Sequence, residues 1–71
     1  MFEPKKIGEH AGTIWRKLEL KGEMPIDQLP ESVKMTTDEC LLALGWLARE
    51  GKIEFMEIDG QNAVRLPKFF M

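Results

Sequence analysis

One stretch decides the fold: residues 36–58, which read TTDECLLALGWLAREGKIEFMEI and change from a helical to an extended pattern. Thr36 and Glu39 match the capping box that opens a helix, and Gly51 suits the position just past its end. The apolar stripe with helical spacing holds Cys40, Leu44 and Leu47, flanked by Ala43 and Ala48. Residues 52–58 then alternate loosely between apolar and polar, which is typical of a strand.

Upstream of this stretch, the pattern predicts a longer helix and a shorter one. Apolar residues step by four, three and four from Ile7 to Leu18, which predicts a helix over residues 5–21. Pro4 suits its first turn and Gly22 the residue past its end. Residues 23–26 can form a brief edge strand. We expect Asp27 to cap a second helix that runs to about Val33.

Downstream, Asp59 and Gly60 form a turn dipeptide, and residues 63–66 return as a second strand. A hairpin of this size is not stable alone in water, so its apolar residues must pack on the helices. We expect this burial for Ile53, Phe55, Val64 and Leu66. The order of elements predicts an α+β winged helix-turn-helix: a three-helix core with a C-terminal two-stranded β-hairpin wing, in one domain over residues 1–71.

Composition narrows the class of protein. The chain has 71 residues with 10 basic and 12 acidic side chains, and a net charge of -2. This balance argues against a strongly basic nucleic-acid binder. A chain this short also has too few residues to line a deep catalytic cleft. No apolar run reaches the ~18 residues of a membrane span, and no signal peptide is evident. We therefore expect a cytoplasmic protein.

Two residues, Cys40 and His10, are of types that can act in catalysis or bind metals, but the surrounding sequence favours neither role. Cys40 is the only cysteine and lies on the predicted core stripe, so it is read as a small buried side chain. His10 has no carboxylate at helical spacing on its own helix. One cysteine and one histidine cannot build a zinc site. We expect no catalytic residue, no metal and no cofactor.

Two segments carry a resemblance to a known family. These are IGEHAGTIW, residues 7–15, and ALGWLAREGKI, residues 43–53. They resemble a family of small bacterial and archaeal proteins that is described only as a winged helix-turn-helix domain of unknown function. The resemblance spans nearly the whole chain. It implies the winged-helix fold and a tendency to dimerise, but no activity or ligand, since a fold does not fix function.

The charge map weighs against DNA as the partner. Winged-helix DNA readers place the third helix in the major groove and depend on Lys and Arg. Residues 22–47, which include most of that helix, hold one basic and five acidic residues, a net charge of -4. DNA binding by α3 and the wing stays the alternative function. Its candidate contacts are Thr37, Arg49, Lys52, Arg65 and Lys68.

The preferred hypothesis is a non-enzymatic homodimer that acts through protein–protein contact. Leu42 and Trp46 are spaced i, i+4 on the side of the third helix away from the core stripe, as an interface would be. A rotated helix, or cover from either terminus, is the simpler alternative. Gly8 and Gly12 inside the first helix indicate that something packs closely there. The candidate interface residues are Gly8, Gly12, Trp15, Leu42, Trp46, Phe69 and Phe70.

Overall fold

The computed structural model describes residues 2–68 and confirms the predicted order of elements. The helices are α1 (Pro4–Lys21), α2 (Leu29–Val33) and α3 (Thr37–Arg49), and one 3₁₀ turn (Ile26–Gln28) precedes α2. The strands are β1 (Glu23–Pro25), β2 (Glu54–Ile58) and β3 (Gln61–Arg65). The fold is α+β, with three helices and an antiparallel sheet of three strands.

The residues predicted to bound α1 and to open α3 do so in the structure. Pro4 opens α1, and Gly22, with a φ of 86°, donates its N–H to the Leu18 carbonyl at 2.7 Å. At the start of α3 the capping box is complete. The Glu39 N–H donates to Thr36 Oγ1 at 3.1 Å, and the Thr36 N–H donates to Glu39 Oε1 at 2.9 Å. These bonds satisfy two backbone N–H groups that the first helical turn leaves without partners.

The start of α2 differs from the prediction. Asp27 does not cap the helix, because residues 26–28 form a 3₁₀ turn and Gln28 takes the N-cap position without a side-chain bond. Pro30 lies in the first turn, where the N–H it lacks is not required. Leu29 is buried and Val33 packs against the core, as expected.

The sheet has the order β1-β3-β2, with both pairings antiparallel. The brief strand predicted before α2 therefore pairs with the second strand of the hairpin, where Met24 lies opposite Val64. The wing turn has two residues, Asp59 and Gly60, with φ values of 51° and 81°. Positive φ at both positions is the geometry of the type I′ turn that matches the twist of a hairpin.

The core lies between the helices and one face of the sheet. Its central members come from all three helices and the hairpin: Ala11, Ile14, Leu18, Leu29, Cys40, Ala43, Leu44, Leu47, Ile53, Val64 and Leu66. The expected burial of Phe55 is wrong, since 60% of it is exposed. Phe55 lies opposite the buried Val64, but on β2, the outer strand of the sheet, which has a neighbouring strand on one side only among residues 2–68.

The capping box gives a direct test of how α3 is stabilised. Thr36→Ala removes the acceptor for the Glu39 N–H, and we expect the free energy of unfolding to fall by about 1 kcal/mol. Urea unfolding followed by circular dichroism measures this change. Thr37→Ala is the matched control, because Thr37 is exposed and forms no cap bond; its effect should stay within about 0.5 kcal/mol. Equal losses in the two variants would contradict the assigned role of the cap.

Candidate interaction surface

The solvent side of α3 is apolar through its middle turns. Leu41, Leu42 and Trp46 keep 52%, 40% and 41% of their surface exposed. The prediction that Leu42 and Trp46 face away from the core is confirmed, and a rotated helix is ruled out. Leu41 was not among the predicted interface residues, although it lies off the core stripe. Only position on the helix, and no motif, could have identified it.

Trp46 lines a groove between α1 and α3 with a volume of about 580 Å³. Three of the residues predicted as interface, Gly8, Gly12 and Trp15, line the same groove from α1. Arg16, Glu19 and Lys52 lie around it and carry charges of both signs. The structure therefore places four of the predicted interface residues, Gly8, Gly12 and Trp15 of α1 and Trp46 of α3, around a single groove.

The glycines of α1 form this groove because nothing in the described chain fills the space above them. A Cβ atom built on Gly8 would meet no atom within 4 Å, and one built on Gly12 would meet only the Arg16 guanidinium at 3.5 Å. The close packing expected at Gly8 and Gly12 is thus absent among residues 2–68. That edge of α1 borders an open groove, so the missing side chains leave space there and bring no neighbour closer.

Leu42 lines a second, smaller depression of about 200 Å³. Glu39 lines it from the same helix. Its other walls come from the N-terminal part of α1 and the residues before it: Phe2, Lys6, Ile7 and His10. Phe2 is half exposed. Leu42 and Trp46 are one helical turn apart, so they are neighbours on α3 and connect the two depressions.

His10 has a partner that its own helix does not supply. Its Nε2 lies 4.0 Å from Glu39 Oε2, because α1 packs across the start of α3. The pKa of Glu39 is lowered, chiefly by the hydrogen bond from the Thr36 N–H and then by the charge of His10. The carboxylate of Glu39 is thus committed to the helix cap. The contact between His10 and Glu39 is therefore a structural one.

Cys40 lies in the core as predicted, with 1% of its surface exposed. Burial raises the pKa of its thiol, so the sulfur stays protonated at neutral pH and is a poor nucleophile. Across residues 2–68 there is no group of three or more His, Cys, Asp or Glu side chains that could hold a metal ion. No helix in this range is long and apolar enough to cross a membrane.

The candidate DNA contacts are on the surface but do not form one basic strip. Thr37 and Arg49 lie at opposite ends of α3, about 18 Å apart at 1.5 Å per residue. Arg65 donates from Nε to Glu54 Oε1 at 3.1 Å, which offsets its charge. Lys52 borders the groove, and Lys68 follows β3. Two further interface candidates, Phe69 and Phe70, lie outside the described residues.

The lowered pKa of Glu39 predicts a specific pH dependence of stability. Because the folded pKa lies below the usual value of 4.5, the stabilisation is complete above that value and is lost as the pH falls through the folded pKa. Glu39→Gln should flatten the curve of unfolding free energy against pH in this acid range. Urea unfolding from neutral pH to below 4.5 tests it. Glu9→Gln, an exposed carboxylate on α1, is the control, and equal flattening by both variants would contradict the prediction.

A solved structure shares the fold of this chain. The solution NMR structure of protein BT2368 from Bacteroides thetaiotaomicron is similar to it with a TM-score of 0.83 and 29% sequence identity. The match covers 97% of this chain and 84% of that one. The two proteins therefore share the fold over nearly the whole of this chain.

Sequence relatives lead to the same fold. The chain is similar to the uncharacterized protein MJ1608 of Methanocaldococcus jannaschii, with 36% identity over 64 residues, which are 86% of this chain and 90% of that protein. The model of a family described as "Winged helix-turn-helix domain (DUF2582)" matches residues 1–66. The element order, the capping box of α3 and the wing turn agree with that description. The chain therefore belongs to this winged helix-turn-helix family, whose function is unknown.

Proposed function

We propose that the chain is a non-enzymatic module that forms a homodimer and acts through protein–protein contact at the exposed side of α3. One observation carries this proposal. Trp46, 41% exposed, lines a groove that Gly8 and Gly12 line from α1. A large aromatic side chain beside two positions that have no side chain is an arrangement that another polypeptide can fill closely.

The chemistry of the groove favours a folded helix as its occupant. Trp residues contribute strongly to binding when a partner removes them from water. Glycines at i and i+4 let a second helix approach the backbone of α1 closely, because no Cβ atoms intervene. The proposed occupant is the same face of a second copy, with α1 and α3 of each protomer packed on the other.

The charges around the groove favour a second copy over DNA. Arg16 and Lys52 are positive and Glu19 is negative, and all three line the groove. A two-fold axis brings the surface against a second copy of itself, with each residue meeting a different residue of the partner and the reverse contact repeated, so opposite charges can pair across the axis. A polyanion requires one sign of charge, which this surface does not present.

The size of the chain also supports association. A stable interface removes about 800 Å² from each partner, which is about one sixth of the 4995 Å² that this protomer exposes. Domains of this length have small cores, and those without disulfides or metals gain stability by burying surface between subunits. The non-enzymatic part of the proposal is supported by the buried, protonated Cys40 and by the commitment of Glu39 to a helix cap.

Truncation of the central tryptophan tests the homodimer. Trp46→Ala should weaken self-association by about 2 kcal/mol, which is about thirtyfold in Kd. Sedimentation velocity over a concentration series measures the change. Leu20→Ala is the matched control, because Leu20 is 82% exposed on α1 but does not line the groove. A wild-type protein that stays monomeric, or a dimer that Trp46→Ala leaves intact, would overturn the proposal.

A second variant separates association from folding. Gly8→Ala should stabilise the isolated protomer by up to about 1 kcal/mol, because alanine favours helix and its Cβ meets no atom of residues 2–68 within 4 Å. In the same variant the methyl group projects from a residue that lines the groove and should weaken the dimer. A more stable protomer that dimerises less would be hard to attribute to misfolding. A variant that dimerises as well as the wild type would place the interface elsewhere.

DNA contact through α3 and the wing is the second candidate function. It is favoured by the exposure of Thr37, Arg49, Lys52 and Lys68 on a fold that reads DNA in other proteins. On this hypothesis, affinity for duplex DNA falls steeply as salt rises, and Arg49→Ala lowers it. Fluorescence anisotropy with a labelled duplex measures both effects. Absence of binding at low salt would remove this candidate and leave the homodimer unaffected.

A further inference from the structure

The sheet has two outer strands, β1 and β2, and β2 forms the longer edge. In the order β1-β3-β2, β2 bonds to β3 on one side, and no strand within residues 2–68 lies on its other side. Alternate residues of an outer strand direct their N–H and C=O groups away from the sheet. The opposite edge is closed more effectively, because β1 has three residues and ends in Pro25, which has no N–H to donate.

The side chains of β2 give this edge a definite pattern. Phe55 and Glu57 are two residues apart and so lie on the same face. Phe55 is 60% exposed and continues a row that begins with the buried Met24 and Val64. A strand added beside β2 would set an apolar side chain against Phe55 and extend this row by one position. It would also bring another side chain next to Glu57.

The charge of the edge selects the kind of strand that fits. Glu54 is bonded by Arg65 at 3.1 Å, so its charge is already balanced. Glu57 lies opposite Asn62, is exposed, and forms no ion pair among the described residues. Asp59 adds a second exposed carboxylate at the turn. An incoming strand therefore matches when it carries Lys or Arg two positions from an apolar residue.

We propose that the outer edge of β2 binds an extended basic segment of a partner protein, which joins the sheet as an additional strand. A second copy of β2 is a poor occupant, because its sequence EFMEI contains no cation and would bring more carboxylates to the same ladder. Nucleic acid is disfavoured by the same charges. This site lies on the sheet, and it does not depend on the homodimer proposed for the α3 groove.

A selection experiment tests the proposal. The immobilised full chain is presented with a phage library of random short peptides. Enriched sequences should place Lys or Arg two positions from an aliphatic or aromatic residue. A selected peptide added to the ¹⁵N-labelled protein should shift the amide signals of residues 54–58 and slow their hydrogen exchange. These two effects together distinguish strand addition from general electrostatic attraction.

Variants at the edge make the test specific. Glu57→Lys should weaken the selected basic peptide by about tenfold, because like charges then meet, and should enrich acidic peptides instead. Phe55→Thr keeps a residue that favours strands, so it should preserve the fold and weaken binding. Trp46→Ala is the control and should bind as the wild type does.

Several outcomes would overturn the proposal. One is that no sequence is enriched on the wild-type protein. Another is that selected peptides shift the signals of α1 and α3 while those of β2 stay unchanged. If hydrogen exchange in β2 slows as the protein concentration rises, with no peptide present, a second copy is identified as the occupant. Labelled duplex DNA is tested as well: if it binds, shifts the β2 signals and binds more tightly to Glu57→Lys, nucleic acid is identified as the occupant of the edge.

Discussion

The packing of α1 across α3 is the contact on which the rest of the structure depends. These two helices form the most extensive helix–helix contact, and Ile14, Leu18 and Ala43 are fully buried. A small residue at position 43 lets the helices approach closely. Their crossing also decides the surface, because it brings His10 to Glu39 at one end and leaves the groove beside Trp46 at the other.

This crossing fixes what the third helix can offer to a partner. In DNA-reading proteins of this fold the exposed side of the third helix enters the major groove, and here that exposed side carries Leu42 and Trp46, with Arg49 at the end of the helix. Affinity for phosphate depends on several cations acting together, whereas a protein contact depends on apolar area that loses its water. The fold alone therefore does not decide the partner, and the proposed protein contact depends on the side chains of the exposed helix face.

Much of the fold could be predicted because its signals are local. The capping box at Thr36, the end of α3 before Gly51 and the turn at Asp59 each depend on a few neighbouring residues. The errors concern relations between elements. Alternation in β2 indicated that Phe55 shares a face with the core, but not that β2 is the outer strand and leaves Phe55 60% exposed.

The surface was predictable only in parts for the same reason. Helical spacing placed Leu42 and Trp46 outside the core, and composition marked Gly8 and Gly12 as unusual. Residues of both helices line one groove because of the way α1 and α3 cross. The periodicity within one helix carries no information on the angle between two helices. The pairing of His10 with Glu39 is hidden likewise, since the two residues are 29 positions apart in the sequence.

The two exposed surfaces differ in how they can be recognised, and the difference follows from their backbone. On α1 and α3 the backbone N–H and C=O groups are already bonded within each helix, so a partner must be selected by shape and side-chain contact. On β2 half of these groups are directed outward, so backbone bonding can supply affinity and side chains need only supply specificity. In the proposed complexes, Phe55 and Glu57 supply specificity at β2, whereas the groove selects a folded surface of matching shape. The two proposals therefore assign a folded partner to the helices and an extended one to the sheet edge.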